Sequence, residues 1–544
     1  MTSGFTRPSG LAGLAGLGRI LVFDVRRSWL RVVVWALVLA ALVVLVVEYQ
    51  QGIFPTQASR DAYAAIANTP SVAALTGLPY AAETAGGILN IKLWMSNAVA
   101  LALVSIFLVT RHGRAEEESG RAELLRSAPL GRHTLSVAAG CLAAAFALVA
   151  GLLCGVAAAA TGLPAASSLL MGLSFSGVAI AFVGVAAVTN QLASTARAAN
   201  AWAGLVLAAA YLVRAAADVN ATEDTPHWVT WLSPIGWGQQ TRSFGEDQWW
   251  ALGLPLGFGL TCGALAFAIE RRRDLGAGLI PVRPGPAHAS PWLATTLGLP
   301  LRLQRTPLIA WTLGVAATGL FFGGVATLMD DLLAQLGSTP IAAVLTSGSD
   351  TPVDGVLGFL LVFLAVLVAG FAVQSTLALR ADEAAHGEVE WSVAVPRWTW
   401  AGARIGIPAI ASALMLALGG LVQGAAYGAQ TGDPGQAWRY AAGALAYWPA
   451  VALVIAVTAA LAAWVPRSAV GTAWAVYGSL VLLATLGDVL GIPHDLVQAT
   501  PFWVVPQPGR PDPAWLPVWL MAALAIALAL LAILRFRTRD LVLA

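Results

Sequence analysis

Long apolar runs, each close to the length needed to cross a bilayer, dominate this chain of 544 residues. A membrane-spanning helix needs about 20 mostly apolar residues. Twelve such runs occur, near residues 32–47, 91–110, 134–160, 166–189, 201–217, 251–269, 308–328, 355–379, 405–427, 441–463, 470–487 and 516–534. Only 11% of the residues are charged, against about 25% in soluble proteins. We therefore expect an all-α integral membrane protein with about 12 transmembrane helices. A soluble enzyme and a nucleic-acid-binding protein are both disfavoured.

The basic residues fall mainly on one side of the predicted membrane. If the N-terminus is cytoplasmic, 24 of the 30 Lys and Arg residues lie in inner segments, and every inner segment contains Arg. The positive-inside rule therefore predicts that both termini are cytoplasmic and that the protein is a multi-pass protein of the cytoplasmic membrane. About 30 residues with several arginines precede the first apolar run, so we expect no cleavable signal peptide.

An internal repeat divides the twelve runs into two sets of six. Four residues of the loop after the second run recur 267 positions later: Glu116, Gly120, Glu123 and Pro129 correspond to Glu383, Gly387, Glu390 and Pro396. Both halves begin on the inner side, which predicts parallel repeats related by an axis along the membrane normal. We expect two six-helix halves, residues 1–270 and 271–544, that together form a pseudo-dimer.

The repeated loop has the composition of a short helix at the membrane surface. Residues 111–132 read RHGRAEEESGRAELLRSAPLGR, a charged start followed by a short amphipathic turn and a proline. Leu124 and Leu125, or Trp391 and Val393 in the second copy, offer an apolar face for the groove of another protein. The alternative is a solvated loop whose arginines only set the topology. Recurrence in both halves favours docking.

With these motifs the chain resembles the type-2 ABC exporter permeases, and among them the fused twelve-span actinobacterial exporters of polyketide antibiotics, which are similar to tetronasin-resistance permeases. The resemblance rests on the pattern from Glu116 to Arg132 and its fainter copy from Asp382 to Arg397, in which Ala384 and Trp391 depart from it. The Trp231–Trp237 segment, Trp249-Trp250 and the prolines at 501, 506 and 508 also match.

In that family the loop between spans 2 and 3 of each half is the coupling helix, which contacts a nucleotide-binding subunit. The resemblance implies this role for Glu116, Glu117, Gly120, Glu123, Leu124, Pro129, Arg132, Glu383, Gly387, Glu390 and Pro396. The implied partners are a dimer of ABC ATPase subunits, which would carry ATP and Mg, and a hydrophobic or amphipathic substrate such as a polyketide antibiotic. The region between spans 5 and 6 would form a re-entrant outer lid that turns at Ser233-Pro234.

The sequence contains no phosphate-binding loop of its own. The G-x-x-x-x-G-K-[ST] motif needs its lysine on the nucleotide phosphates, and the only lysine is Lys92, near one end of the second run. A P-loop motor would therefore have to be a separate polypeptide. The three cysteines all lie inside apolar runs, so neither a disulfide framework nor a metal site is expected.

Polar residues inside the runs are costly in lipid and are therefore candidates for a substrate pathway. We name Asn97, Gln374, Arg214 and Asp218 for that role. Arg214 and Asp218 are four residues apart on one helical face and can form an ion pair. The alternative is that these side chains hold helices together.

Two other classes of function are weaker alternatives to an ABC permease. A proton-coupled secondary multidrug transporter can also have six-plus-six parallel repeats. It needs buried carboxylates for a proton relay, and the run interiors contain almost none. A membrane-embedded transferase or hydrolase needs acids or histidines grouped at one depth, and the outer acids are scattered. No catalytic residue is therefore assigned.

Overall fold

The computed structural model describes most of the chain as two compact units, Met1–Gly285 and Pro286–Ala544. It describes residues 12–324 except 69, 220, 222–224, 275, 282–284 and 286, and also residues 326, 352–392, 395–486, 497, 500–506 and 514–540. All regular secondary structure in these ranges is helical. Residues 276–281 pack on the first unit, because the backbone N–H groups of Leu279 and Ile280 donate to the carbonyls of Gln191 and Leu192 at 3.0 and 2.9 Å.

The described part of the first unit contains six long α-helices and five shorter ones, besides three short 3-10 helices. The long helices are α1 (Leu17–Ile53), α4 (Ala85–His112), α7 (Thr134–Ala160), α8 (Ala165–Leu192), α9 (Ala196–Asp218) and α11 (Gly253–Glu270). The short helices are α2 (Gln57–Ala67), α3 (Pro70–Thr76), α5 (Arg114–Glu118), α6 (Arg121–Arg126) and α10 (Pro234–Gln239). Thr84 and Thr195 start α4 and α9, where each side-chain oxygen accepts a backbone N–H of the first turn.

The described part of the second unit contains seven helices. They are α12 (Gly298–Gly324), α13 (Pro352–Ser392), α14 (Arg397–Thr431), α15 (Gly435–Leu445), α16 (Trp448–Trp464), α17 (Ala469–Leu486) and α18 (Leu516–Thr538). In this unit α13 contacts α12, α14, α16 and α17, and in the first unit α8 contacts α4, α7, α9 and α11. Each unit has its own apolar core around these central helices.

Eleven segments of the described chain are long and apolar enough to cross a membrane, which makes this a multi-pass helical membrane protein. They coincide with eleven of the twelve predicted runs. The remaining run, 470–487, lies in α17, where the apolar stretch Ala469–Ala484 is shorter than the others. Large apolar side chains on the outer helices face outward, including Leu516, Trp519 and Leu520 on α18. An apolar outer surface of this kind suits lipid, where the backbone must satisfy its own hydrogen bonds.

The two ends of the first unit differ in composition. One end contains the loop between α4 and α7 and residues 271–273, and we call it the arginine-rich end. At the opposite end the only lysine of the chain lies among three aromatic rings. The Lys92 ammonium is 4.7 Å from the ring centroid of Phe54, 5.3 Å from that of Tyr63 and 5.8 Å from that of Tyr49. Such cation–π contacts join α1, α2 and α4 at that end.

Candidate functional site

The loop between α4 and α7 is ordered and begins with two glycine-marked breaks. Helix α4 ends at His112, and Gly113, with φ −105° and ψ −96°, starts the short helix α5. Gly120 then adopts the left-handed conformation at φ +73° and starts α6. A residue with a Cβ is disfavoured in that conformation by about 1 kcal/mol. The two glycines therefore fold the predicted docking loop back toward the membrane as two short helices.

Helix α5 is fixed by two carboxylates that point in different directions. Glu116 is buried and accepts hydrogen bonds from Arg27 of α1 at 2.9 Å and from Arg121 of α6 at 2.7 Å. Glu117 accepts from Arg114 at 3.0 Å and from Arg273, just after α11, at 2.6 Å. Charge-assisted bonds of this length are among the stronger ones in proteins. Glu116 and Glu117 therefore hold the loop rather than extend from it.

The guanidinium of Arg114 connects three separate parts of the chain. It donates to the backbone carbonyls of Ser194, Gly276 and Ala277 at 2.6–3.1 Å. The neighbouring Glu118 carboxylate accepts the backbone N–H of Ala196 at 2.7 Å, at the start of α9. An acidic side chain at this position also stabilises the N-terminus of α9. Through the bonds of Arg114 and Glu118, α5 is attached to the start of α9 and to the segment after α11.

The second part of the loop is attached to the end of α11. Arg132 donates to the backbone carbonyls of Glu270, Arg271 and Arg273 at 3.2–3.3 Å. Those carbonyls end a helix and have no partner within it. The Glu270 carboxylate also contacts His133 at 2.9 Å and Ser136 at 2.8 Å. The loop is thus anchored at both ends to the last helix of its unit.

Helix α6 turns one face inward and leaves the other free. Ala122 and Leu125 pack in a small cluster with Ile20 and Leu135. On the opposite face Glu123 and Pro129 are exposed, and Leu124 is 75% exposed. A large apolar side chain on a rigidly held surface helix is typical of a protein-binding site. Because the helix is already ordered, binding a partner costs little further conformational entropy.

The corresponding segment of the second unit is a continuous helix. Position 380, which corresponds to Gly113, is Arg380, and α13 continues without a break to Ser392. Gly387 is therefore a buried residue inside a helix, whereas Gly120 is a left-handed turn. Pro396 begins α14. Glu390 falls within α13, and its side chain lies outside the described residues. The two predicted docking loops thus differ in local structure.

Two contacts nevertheless recur in both units. Glu383 forms ion pairs with Arg380 and with Arg539 at the end of α18, as Glu117 does with Arg114 and Arg273. Arg397, after the loop of the second unit, donates to the backbone carbonyl of Arg539 at 3.0 Å, as Arg132 does at the end of α11. In both units the segment between the second and third long helices is tied to the end of the last helix.

Among the described residues of the first unit, Asn97 and the Arg214–Asp218 pair have no bonding partner in common. Asn97 is buried in the first unit, where its Nδ2 donates to the carbonyl of Leu39 at 3.4 Å. Gln374 is on α13 and accepts a hydrogen bond from Trp311 Nε1 at 2.8 Å. Arg214 and Asp218 form the predicted ion pair, at 3.2 Å, near the end of α9 opposite the arginine-rich end. Arg214 also donates to the carbonyls of Ala73, Ala74 and Leu75 at the end of α3.

A folded segment closes the first unit beside Arg214. Ser233 starts α10 at the predicted Ser-Pro turn and donates to the carbonyl of Ala210 at 2.7 Å. Gln240 donates to the hydroxyl of Tyr80 at 2.9 Å, and the guanidinium of Arg242 lies 5.0 Å from the Tyr80 ring centroid. Burial raises the pKa of Tyr80 to about 12, so this hydroxyl stays neutral. These contacts are structural and were not expected from the sequence.

The residue that sequence reasoning missed at the arginine-rich end is Arg273. In the sequence it is the last of three consecutive arginines that follow the sixth apolar run. In the structure it is buried and contacts Glu117, and its Nε donates to Gln191 Oε1 at 2.6 Å. Its position in the sequence could have indicated this contact. An arginine-rich segment directly after the sixth run is predicted to lie on the same side of the membrane as the loop between α4 and α7.

In the described part of the chain, eleven long apolar helices define a multi-pass membrane protein. The family model described as "Multidrug efflux system permease Rv1217c, C-terminal domain" matches residues 293–537. The multidrug efflux system permease protein Rv1217c of Mycobacterium tuberculosis is 32% identical over 541 residues, which cover 98% of this chain and 96% of the relative. The chain therefore belongs to the family of this efflux system permease.

Proposed function

We propose that the chain is the membrane subunit of an ATP-driven ABC exporter that moves hydrophobic or amphipathic compounds, such as polyketide antibiotics and other drugs, out of the cell. The M. tuberculosis relative is named a multidrug efflux permease, which supports the direction and the substrate class. Two parallel six-span halves in the cytoplasmic membrane, with both termini cytoplasmic, would enclose the pathway. ATP and Mg would be bound by a separate dimer of ABC ATPase subunits.

The observation that carries this proposal is the exposed face of α6 on a loop fixed by ion pairs. Leu124 lies outside, while Glu116 and Glu117 connect the loop to α1 and to the segment after α11. A force applied at Leu124 would therefore reach the long helices without first bending the loop. Glu123, Pro129 and the exposed edge of α6 would complete the contact. In the second unit the segment from Asp382 to Arg397 would take the same role.

The runner-up function, a proton-coupled secondary transporter, is less well supported. A proton relay needs carboxylates that are free to change their protonation state. Among the described residues, the buried acids of the spanning helices have basic partners, as in the pairs Asp24–His112, Asp218–Arg214 and Asp354–Arg439. Each of these carboxylates is bonded to a basic side chain rather than left as a separate proton carrier, which favours an external source of energy over proton exchange.

The test of the energy source uses inverted membrane vesicles. The chain is co-expressed with a soluble P-loop ATPase encoded beside its gene, and drug uptake is measured with ATP, without ATP, and with a protonophore. We expect co-purification of the two proteins and ATP-dependent uptake that the protonophore does not abolish. Uptake that needs no ATP and stops with the protonophore would instead establish the proton-coupled alternative.

The test of the contact is the substitution Leu124→Asp. Truncation of a central apolar interface residue typically costs about 2 kcal/mol or more, so we expect ATPase binding to weaken by more than tenfold and drug-stimulated ATP hydrolysis to fall with it. Leu279→Asp is the matched control, because Leu279 is also an exposed leucine of the same unit. If the two variants bind the ATPase equally well, α6 is not part of the coupling contact. That result would not decide whether ATP or a proton gradient drives transport.

A further inference from the structure

A cavity in the first unit is not used by the proposed coupling contact. It has a volume of about 380 Å³ and lies between α4, α7, α8 and α11. Its walls are mostly apolar and include Val183, Ile180 and Phe267. The side between α7 and α11 is open, since Cys141 is exposed and Leu260 is 74% exposed. The shape is an apolar trough that is open on the side between α7 and α11.

The trough ends in charged residues. Arg114, Glu117, Glu270 and Arg273 line its end nearest the loop, and these four are already joined to one another or to His133 by the ion pairs described above. A smaller polar cavity of about 170 Å³ follows, lined by Arg126, Arg132, Glu270, Arg273 and Asp274. Glu270 and Arg273 line both cavities, so the polar cavity adjoins the charged end of the trough.

The polar cavity has hydrogen-bond donors to spare. Arg126 Nε is buried and has no acceptor among the described residues, and the only carboxylate near Arg126 is Glu270, at 3.9 Å. Arg132 uses its Nη2 atom on backbone carbonyls. Two more arginines, Arg271 and Arg272, follow α11 directly and are exposed. Glu270 is already bonded to His133 and Ser136, whereas the exposed Asp274 adds one negative charge. Three arginines and two acids line the cavity, so the charge balance still favours an anionic group.

We propose that this trough binds one anionic phospholipid, with an acyl chain between α7 and α11 and the phosphate at Arg126 and Arg132. Basic pockets between transmembrane helices are suited to anionic headgroups, and arginine near an anionic surface is favourable. Apolar lining fits a lipid tail, and the opening between α7 and α11 admits the tail from the bilayer. The inference does not depend on the proposed function, because it needs neither an ATPase nor a transported drug.

The bound lipid would contact both parts that hold the docking loop. Its phosphate would lie beside Arg132, which caps the end of α11, and beside Arg126, the last residue of α6. A lipid at this position would therefore stiffen the connection between α6 and α11. The lipid composition of the membrane would then affect how firmly the loop is held.

Substitution of two glycines by leucine can fill the trough. Gly263 on α11 and Gly140 on α7 line it, and a Cβ added at either position meets no other atom within 4 Å. Gly263→Leu and Gly140→Leu should therefore occupy the space for the lipid tail without disturbing the protein. Gly257→Leu is the matched control, since Gly257 is on the same helix, is equally open and does not line the trough.

The experiment measures lipid binding to the purified full-length chain by native mass spectrometry, with phosphatidylglycerol, phosphatidylcholine or inorganic phosphate added. We expect one tightly bound phosphatidylglycerol in the wild type and in Gly257→Leu, and binding weaker by about tenfold, or 1.4 kcal/mol, in Gly263→Leu and Gly140→Leu. Thermal unfolding should be the same in all four proteins. Equal phosphatidylglycerol binding in the filled and control variants would overturn the proposal.

The headgroup is tested by Arg126→Gln. Loss of one arginine near the phosphate should weaken phosphatidylglycerol binding about fivefold and leave phosphatidylcholine binding unchanged. Excess inorganic phosphate should not displace the lipid, because it lacks the tail. Displacement by phosphate alone would reduce the site to a simple anion site, and equal affinity for the two lipids would refute the assigned headgroup contact.

Discussion

Buried charged side chains in this protein connect segments that are distant in the sequence. Arg214, which joins α9 to the end of α3, is an example. Its side chain has no exposed surface, yet one nitrogen bonds to Asp218 and both terminal nitrogens bond to carbonyls at the end of α3. Carbonyls in the last turn of a helix lack donors within it. Ala73 and Leu75 each have one other donor, from Gly77 and Tyr211, and Arg214 supplies the donor for Ala74. Arg214 therefore neutralises an acid and caps a helix at once, which explains the position better than contact with a substrate does.

The substitution Arg214→Met tests this explanation. It leaves Asp218 buried without its counter-charge, and breaking such a pair costs roughly 3–5 kcal/mol. We expect a clearly lower unfolding temperature in detergent, and partial recovery when Asp218→Asn is added. The control is Arg197→Met on the same helix, which removes an exposed arginine and should change stability little. A change in drug selectivity with wild-type stability would support the substrate-pathway role instead.

Helices of this protein pack closely where two glycines meet. In the first unit, a Cβ at Gly172 of α8 would lie 2.1 Å from the carbonyl oxygen of Gly151 on α7. In the second unit, a Cβ at Gly319 of α12 would lie 2.3 Å from the carbonyl oxygen of Gly419 on α14. Small residues allow such backbone contact in lipid, where burial alone does not bring helices together.

Substitutions of two glycines on α12 can distinguish this packing effect from the general effect of a larger side chain. Gly319→Leu should force α12 away from α14 and destabilise the unit, by about 1–3 kcal/mol for an overpacked core. Gly314→Leu on the same helix meets nothing within 4 Å and should be tolerated. The measurement is the amount of monodisperse protein and its unfolding temperature. Equal loss in both variants would show that any leucine on α12 is harmful.

The positions of the long helices could be predicted from the sequence because apolar length is a local property. The ends of α4 and α13 could not be predicted equally well. Gly113 stops α4, whereas Arg380 at the corresponding position lets α13 continue to Ser392. Repeated Glu, Gly and Pro residues suggested similar loops, yet one residue outside that motif decides whether the helix breaks.

At the scale of the whole molecule, the sequence predicts which residues share a side of the membrane but not which of them are in contact. Glu117 and Arg273 are 156 residues apart and were assigned to the same side by topology alone. Their contact depends on how α4, α8 and α11 pack, which is set by many apolar side chains together. The exposed residues Glu123, Leu124 and Pro129 could be predicted as candidates because the amphipathic turn that contains them is local.

The aromatic surroundings of Lys92 have a practical consequence for the topology of the whole protein. Lys92 is the only lysine, so an amine-specific reagent has one side-chain target, at the end of the first unit opposite the arginines. A membrane-impermeant reagent should modify Lys92 in intact cells and miss it in sealed inverted vesicles, if the arginine-rich end is cytoplasmic. Peptide mapping by mass spectrometry separates this product from the N-terminal amine. Phe54→Ala should make the reaction faster, because it removes one of the three aromatic rings around the Lys92 ammonium. Labelling only in inverted vesicles would show that the orientation is the reverse of the one assigned.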